Sequence, residues 1–176
     1  MNCENKFSKS DNKTFVSKLL FEIAALICLI SLITTSLRAC EEERSAEEIM
    51  LEFNASYGIG CAMYSSNEGG EGIYDGGEIF LAMLGGGAEC VSSYSMLLVS
   101  GLEYSGECAV FVCFSRYDAM MISERGSARI GMLRNSSALG VPTFASDGFV
   151  MRRGKIVIMC ALSDNERAKR IFERIL

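Results

Sequence analysis

The run from Leu19 to Leu37 limits where the rest of this chain can reside. Its nineteen residues include one charged side chain, Glu22. As a helix the run would be about 28 Å long, close to the roughly 30 Å hydrocarbon core of a bilayer. A helix buried in a protein core rarely continues this far without a polar stripe. The run therefore predicts a membrane-spanning helix over residues 19–37, with the lipid bilayer as its partner.

The flanks of this run predict an orientation. Residues 1–18 contain four lysines, whereas Arg38 on the other side is followed closely by three glutamates. Basic residues favour the cytoplasmic side, so we expect residues 1–18 to be a cytoplasmic tail and the C-terminal part to be extracytoplasmic. A cleaved signal peptide has the same layout but an apolar region of only about 7–15 residues. A retained single-pass anchor in the cell membrane is the prediction.

A second alternative concerns Cys40. The sequence Leu37-Arg38-Ala39-Cys40 is similar to a bacterial lipoprotein processing site because a small residue precedes the cysteine. Arg38 is out of place in that motif. Whether the N-terminal segment is cleaved or Cys40 is lipidated therefore stays open.

Residues 39–176 are predicted to form one domain, since this length is sufficient for a hydrophobic core. Residues 41–107 carry thirteen acidic side chains and one basic one, whereas residues 108–176 carry eleven basic and six acidic ones. The two halves could pack together and complement each other, or one polar surface could contact a charged partner. The charge balance and the predicted topology argue against nucleic acid as a partner.

Eight cysteines are many for a chain of this length. Two of them, Cys3 and Cys28, fall in the predicted tail and anchor. The other six belong to the predicted domain: Cys40, Cys61, Cys90, Cys108, Cys113 and Cys160. An oxidising compartment would permit disulfides among these six. Several of them lie in apolar runs, where cysteine also serves as a small hydrophobe, and the spacing does not give a pairing.

The first half of the domain is the harder to interpret. Ser45 and Glu48 form a capping box that predicts a helix, which Gly58 can end. Residues 65–87 are predicted to be a Gly-rich acidic loop. Within it, the apolar run at residues 79–84 favours a short helix over a strand.

The second half has a clearer pattern. Residues 94–99 and 107–114 predict an antiparallel hairpin, and Ser115 predicts the start of a helix with an apolar side. The side chains expected to be buried on that helix are Tyr117, Met120, Met121, Ala128 and Met132. Gly126 and Gly131 should weaken that helix or end it early.

A second hairpin and a last helix complete the prediction. Residues 149–151 and 156–161 flank a turn at residues 152–155, and the second of these strands is apolar throughout, as in a strand covered on both faces. Ser163 begins another capping box, followed by an amphipathic helix with a basic outer face. The predicted fold class is α+β, with an antiparallel sheet of about four strands covered by helices in the order α…ββαββα, preceded by one transmembrane helix.

The composition excludes several chemistries. The chain has no histidine, so Ser-His-Asp and Cys-His nucleophilic sites and histidine-ligated zinc are ruled out. No Cys-x-x-Cys pair is present, and Cys108 and Cys113 should point to opposite faces of one strand. We therefore assign no catalytic, cofactor-binding or metal-binding residue and expect a protein that is not an enzyme.

Two stretches resemble a known family. They are Ser105 to Phe111, followed by a helix with Arg129-Ile130, and the hairpin from Val150 to Val157 leading into Ser163-Asp164. Over residues 94–176 the chain resembles small extracytoplasmic domains of clostridia-type bacteria, which look like lipoproteins or single-pass anchored proteins. The resemblance implies a Gram-positive surface location and carries over no site residue. The Gly-rich segment and the many cysteines depart from that pattern.

Together these features predict a membrane-anchored, extracytoplasmic, non-enzymatic binding or interaction domain at the cell envelope. Its partner would be another envelope protein or a second copy of the chain. The alternative is a sensor domain that binds a small ligand or a cation through the acidic Gly-rich loop. Its candidate ligands would be the carboxylates of Glu68, Glu71, Asp75 and Glu78, although the spacing is not that of an EF-hand.

Overall fold

A computed structural model describes residues 22–28, 44–66, 72–100, 105–138 and 145–176. Internal contacts divide the chain into two units, Met1–Glu43 and Arg44–Leu176. In the first unit the described part is a helical segment at residues 22–28, whose side chains are exposed. The predicted cytoplasmic tail at residues 1–18 and the processing site at Cys40 lie outside the described residues.

The predicted membrane-spanning helix over residues 19–37 is contradicted. In the described parts of the chain, no helix is both long enough and apolar enough to cross a membrane. The structure therefore does not support a single-pass anchor, nor the membrane location derived from it. Residues 19–21 and 29–37 lie outside the described residues.

The second unit alternates helices with strands. Its described residues form four α-helices, which are α1 (Ala46–Tyr57), α2 (Gly77–Leu84), α3 (Arg116–Ala138) and α4 (Asn165–Ile175). Its strands are β1 (Met63–Ser65), β2 (Ile73–Asp75), β3 (Val91–Ser100), β4 (Ser105–Cys113), β5 (Phe149–Arg153) and β6 (Ile156–Ala161). Short 3₁₀ turns precede β3 at Ala88–Cys90 and β5 at Ala145–Asp147.

The six strands form one mixed sheet in the order β2-β1-β3-β4-β6-β5. The β1–β2 pair is parallel and every other pair is antiparallel. The prediction of a purely antiparallel sheet of about four strands is therefore wrong. The two missed strands are only three residues long, and neither shows the alternation that identifies a strand in sequence. Strand β1 ends where the predicted Gly-rich loop begins, and β2 lies within that loop.

Helices cover both faces of this sheet. Helices α1 and α4 pack on one face, named here the α1–α4 face, where Phe53 and Phe172 stack with their ring centroids 4.2 Å apart. Helices α2 and α3 cover the other, the α2–α3 face, where Phe80 meets Phe111 edge to face at 5.7 Å. Each face therefore has its own hydrophobic core.

The two hairpins follow the prediction, with small shifts at their ends. Strands β3 and β4 pair in antiparallel fashion, and β5 pairs with β6 across a turn at residues 154–155. Strand β6 is buried from residue 157 to 161, as expected for a strand covered on both faces. Ser45 forms the predicted capping box of α1. Helix α4 begins one residue later than predicted, because Asp164 caps it by accepting a hydrogen bond from the Arg167 amide at 2.9 Å.

Besides pairing within the sheet, the acidic and basic halves of the chain also meet at the ends of helices. Neither α1 nor α2 has a basic residue in its last turn. Arginines of the second half contact those ends: Arg167 donates to the Ser56 carbonyl at 3.0 Å, and Arg125 donates to the Leu84 carbonyl at 3.1 Å. Cations stabilise the negative end of a helix dipole. This arrangement agrees with the interpretation that the two halves complement each other.

Candidate functional site

The side of α3 that the sequence predicts to be buried faces outward instead. Tyr117 is 65% exposed, Met132 52% and Met120 40%, while Ala128 is also exposed and Met121 is half-buried. These five residues lie within about one-third of the helix circumference, given 3.6 residues per turn. We name this surface the α3 stripe.

A second apolar series on α3 contacts the sheet. Ala119, Ile122 and Ile130 are buried in the α2–α3 core, with Gly126 between them. A Cβ atom at Gly126 would lie 3.4 Å from Val150 Cγ2, so the glycine allows α3 to approach β5 closely. Gly126 therefore stabilises the packing of α3 rather than ending it, and the helix continues through 23 residues to Ala138.

Helix α2 fixes the position of α3 on the sheet. The Arg125 side chain lies over the glycines that follow α2 and bonds to the last carbonyl of that helix. Gly87 adopts a left-handed conformation with φ of 97°. It lies so close to Ile122 that an added Cβ atom would be 3.1 Å from Ile122 Cδ1. This close packing holds the inner side of α3, while Tyr117 and Met132 of the α3 stripe stay exposed.

The α3 stripe contains one acidic side chain. Glu124 is exposed and lies one helical turn from both Met120 and Ala128, on the same side of the helix. Just before α3, Phe114 adds a further large apolar side chain that is 60% exposed. The surface is thus apolar with a single carboxylate near its centre.

On its flank, α3 is anchored by an ion pair with the sheet. The Arg129 guanidinium forms two hydrogen bonds with the Glu107 carboxylate of β4, one of them 3.0 Å from Nε to Oε2. The two side chains are 25% and 13% exposed. The hydrogen bond with Glu107 raises the pKa of Arg129. We interpret this pair as structural, because each group satisfies the other.

The predicted ligand set of the acidic loop is not assembled in the described residues. Glu68 and Glu71 lie outside them, and Asp75 uses its Oδ1 atom to accept a hydrogen bond from the Gly77 amide at 2.9 Å. Across the described parts of the chain, no three Cys, Asp or Glu side chains converge as a metal site would require. The sensor alternative stays a prediction.

The four buried cysteines of the second unit separate onto the two faces of the sheet, and each is a free thiol. Cys108 and Cys160 lie in the α1–α4 core, whereas Cys90 and Cys113 lie in the α2–α3 core. The opposite orientation predicted for Cys108 and Cys113 is therefore confirmed. Burial raises the pKa of Cys113 to about 12, so its thiol stays protonated and unreactive at neutral pH.

Comparisons of the chain with family models, curated proteins and solved structures find no match. The resemblance over residues 94–176 therefore stays a prediction. The α3 stripe was missed as a surface because two apolar series run along α3, and either one fits a helix packed on a sheet. The small residues at 119 and 126 were the available signal, since they favour the side that approaches its neighbour closely.

Proposed function

We propose that this chain is a non-enzymatic interaction module whose α3 stripe binds an amphipathic helix of a partner protein, with a basic side chain of that helix opposite Glu124. The observation that supports this is the exposure of Tyr117 and Met132, at 65% and 52%, on a helix whose other side is buried at Ala119, Ile122 and Ile130. Contiguous exposed apolar surface is typical of binding sites on soluble domains.

The chemistry of the α3 stripe favours a helix as its occupant. Apolar side chains repeated at intervals of three and four residues match the spacing of a helix that packs against another helix. Three of the five stripe residues are methionines, whose flexible thioethers adapt to varied partner surfaces. A helical partner also leaves no unpaired backbone groups against this apolar surface.

Charge selects among helical partners. The carboxylate of Glu124 would be costly to cover with apolar side chains unless it gained a cationic partner. Two copies of the α3 stripe packed antiparallel would bring the two Glu124 side chains together, because residue 124 lies near the midpoint between Tyr117 and Met132. Like charges at that position oppose self-association. A lysine or arginine on the partner helix satisfies the same carboxylate.

A model peptide tests this proposal. The probe is a helical peptide of about 18 residues, with leucine on one face and lysine on the other, titrated by fluorescence anisotropy into the full chain. We expect binding with a Kd on the order of 10 μM, weakened about tenfold or more by Met132→Glu and by Glu124→Lys. Leu51→Glu is the matched control, because Leu51 is similarly exposed, at 48%, but lies on α1.

Three results would count against the proposal. The first is equal affinity for the unaltered chain and the Met132→Glu variant, and the second is no binding at about 100 μM chain, ten times the expected Kd. The third is a dimer in sedimentation equilibrium that Met132→Glu dissociates, since that outcome would assign the α3 stripe to a second copy. Thermal unfolding of each variant separates lost binding from lost folding.

A further inference from the structure

We propose that Cys108 of β4 and Cys160 of β6 form a disulfide across the sheet when the chain folds with a small-molecule disulfide such as oxidised glutathione. This inference is independent of the α3 stripe, because both cysteines lie on the opposite face of the sheet. It selects one pair among the described cysteines, where sequence spacing selects none.

The strand register places the two residues directly opposite each other. Cys108 pairs with Cys160 in the antiparallel β4–β6 ladder. Five residues along the ladder, the Cys113 amide donates to the Lys155 carbonyl at 2.9 Å, which marks those two as a hydrogen-bonded pair. Pairs alternate along an antiparallel ladder, so five steps later Cys108 and Cys160 form a non-hydrogen-bonded pair.

Non-hydrogen-bonded pairs are the closer of the two kinds. Their Cα atoms are about 4.5 Å apart and their side chains stand on the same face. A disulfide needs Cα atoms roughly 4.4–6.8 Å apart, so this pair satisfies the requirement without a change of register. Besides burial, the nearby Cys160 thiol contributes to raising the pKa of Cys108, which agrees with the two sulfur atoms lying close together.

The surroundings tolerate the bond. Both residues have no solvent exposure, and their neighbours are apolar side chains of the α1–α4 core. The Cys160 thiol donates to Asn165 Oδ1 at 3.5 Å, a bond that oxidation would remove. Asn165 Oδ1 would still accept a hydrogen bond from the Leu162 amide at 2.9 Å, so the loss leaves this oxygen with a partner.

Burial determines when the bond can form. Desolvation raises the pKa of Cys108 well above its usual value, and the thiolate is the form that attacks a disulfide. The folded dithiol is therefore slow to react. Oxidation should occur while the chain folds, before the two thiols are covered, and the buried disulfide should then resist reductants.

The reaction is an ordinary thiol–disulfide exchange. The Cys160 thiolate attacks one sulfur of glutathione disulfide and releases one glutathione thiolate. The Cys108 thiolate then attacks the Cys160 sulfur of the mixed disulfide and releases the second. The two protons lost by the protein thiols go to the two glutathione thiolates, so the protein pair is oxidised and glutathione disulfide is reduced.

The other described cysteines are less well placed. Cys113 lies opposite Val91 and Lys155 in its two ladders, so Cys90 is offset from it by one position. Cys61 packs against the same core but precedes β1, which β3 separates from β4, so no ladder places it opposite Cys108 or Cys160.

Peptide mapping of the full chain tests the proposal. The chain is unfolded, refolded with reduced and oxidised glutathione, treated with iodoacetamide and digested without reductant. Mass spectrometry should find the peptides of Cys108 and Cys160 joined, at a mass about 2 Da below the sum of the two free peptides. The oxidised chain should melt roughly 5–15 °C higher than the reduced chain.

Matched variants identify the pair responsible. Cys108→Ser and Cys160→Ser should each abolish the difference in Tm between oxidised and reduced chain, whereas Cys90→Ser should keep it. Carbamidomethylated Cys108 and Cys160 after oxidative refolding, or either cysteine joined to any other, would overturn the proposal. The mapping result on the unaltered chain decides the matter even if a variant fails to fold.

Discussion

The two faces of the sheet are covered to different extents. On the α1–α4 face, each helix contacts the other as well as the sheet: Phe53 stacks on Phe172, and the Arg167 guanidinium lies 5.0 Å from the centre of the Tyr57 ring. On the α2–α3 face, α2 has eight residues and α3 has 23. The shorter helix leaves one side of the longer helix exposed.

This difference distinguishes two uses of apolar residues in one fold. Apart from Leu51, the large apolar side chains of α1 and α4 pack in or against the core, whereas α3 carries more apolar residues than its sheet contact requires. Exposing apolar surface to water is unfavourable. A helix with many exposed apolar side chains is therefore a reason to expect a partner. The free energy of unfolding should therefore depend mainly on residues of the α1–α4 face, and binding mainly on residues of the α3 stripe.

The largest expected effect on stability comes from removing the Phe172 ring from the α1–α4 face. Phe172→Ala should lower the free energy of unfolding by about 3–5 kcal/mol, because it leaves a cavity beside Phe53. Tyr117→Ala on the α3 stripe should cost about 0.5 kcal/mol or less, since that ring is 65% exposed. Urea denaturation of the full chain measures both, and similar costs would contradict the distinction between the faces.

The two ion pairs offer the next contrast. Glu107→Gln should destabilise the chain by about 1–3 kcal/mol, because it leaves the half-buried charge of Arg129 without its carboxylate. On the α1–α4 side, Glu52→Gln breaks the pair with Arg44, whose side chains are 38% and 49% exposed, and should cost roughly 0–1 kcal/mol. Chemical denaturation at low and high salt compares them. A larger loss for Glu52→Gln would show that burial does not decide the outcome.

Substitutions at two glycines of α3 test which side of this helix packs on the sheet. Gly126→Leu should destabilise by about 1–3 kcal/mol, because the new side chain would meet Val150 and Met159. Gly131→Ala should instead stabilise by roughly 0.5–1 kcal/mol, since no atom lies within 4 Å of the added Cβ and alanine favours the helix. Thermal or urea unfolding gives the sign of each change. A stable Gly126→Leu chain would show that α3 does not approach the sheet closely.

The smallest effect at neutral pH concerns Cys113 of the α2–α3 core. Its pKa is about 12 in the folded chain against 9.0 ordinarily, so the folded state holds its proton more tightly than the unfolded state. Its contribution to stability is complete below about pH 9 and is lost as the pH rises from there through 12. Unfolding of the unaltered chain and of Cys113→Ala, followed from pH 7 to 11, should show the steeper decline in the unaltered chain. Parallel declines would contradict the buried position of this thiol.

Much of the local structure followed from the sequence. The capping box at Ser45, the hairpin of β5 and β6 and the buried character of β6 all depend on residues that are close together in the chain. Short-range hydrogen bonds and side-chain alternation are sufficient for such features. The missed strands β1 and β2 pair with each other, and β1 also pairs with β3, which is more distant in sequence. Three residues give too short a pattern to detect.

By itself, the sequence of this protein determined the types of its longer elements, the absence of histidine chemistry and the separation of Cys108 from Cys113. Tertiary structure alone decided the six-stranded order, the outward side of α3 and the pairing of Cys108 with Cys160. The physical reason is that periodicity shows which residues share a side of a helix or strand. Which side is then covered depends on how closely another element can approach, and at α3 the small residues Ala119 and Gly126 lie on the side that approaches the sheet.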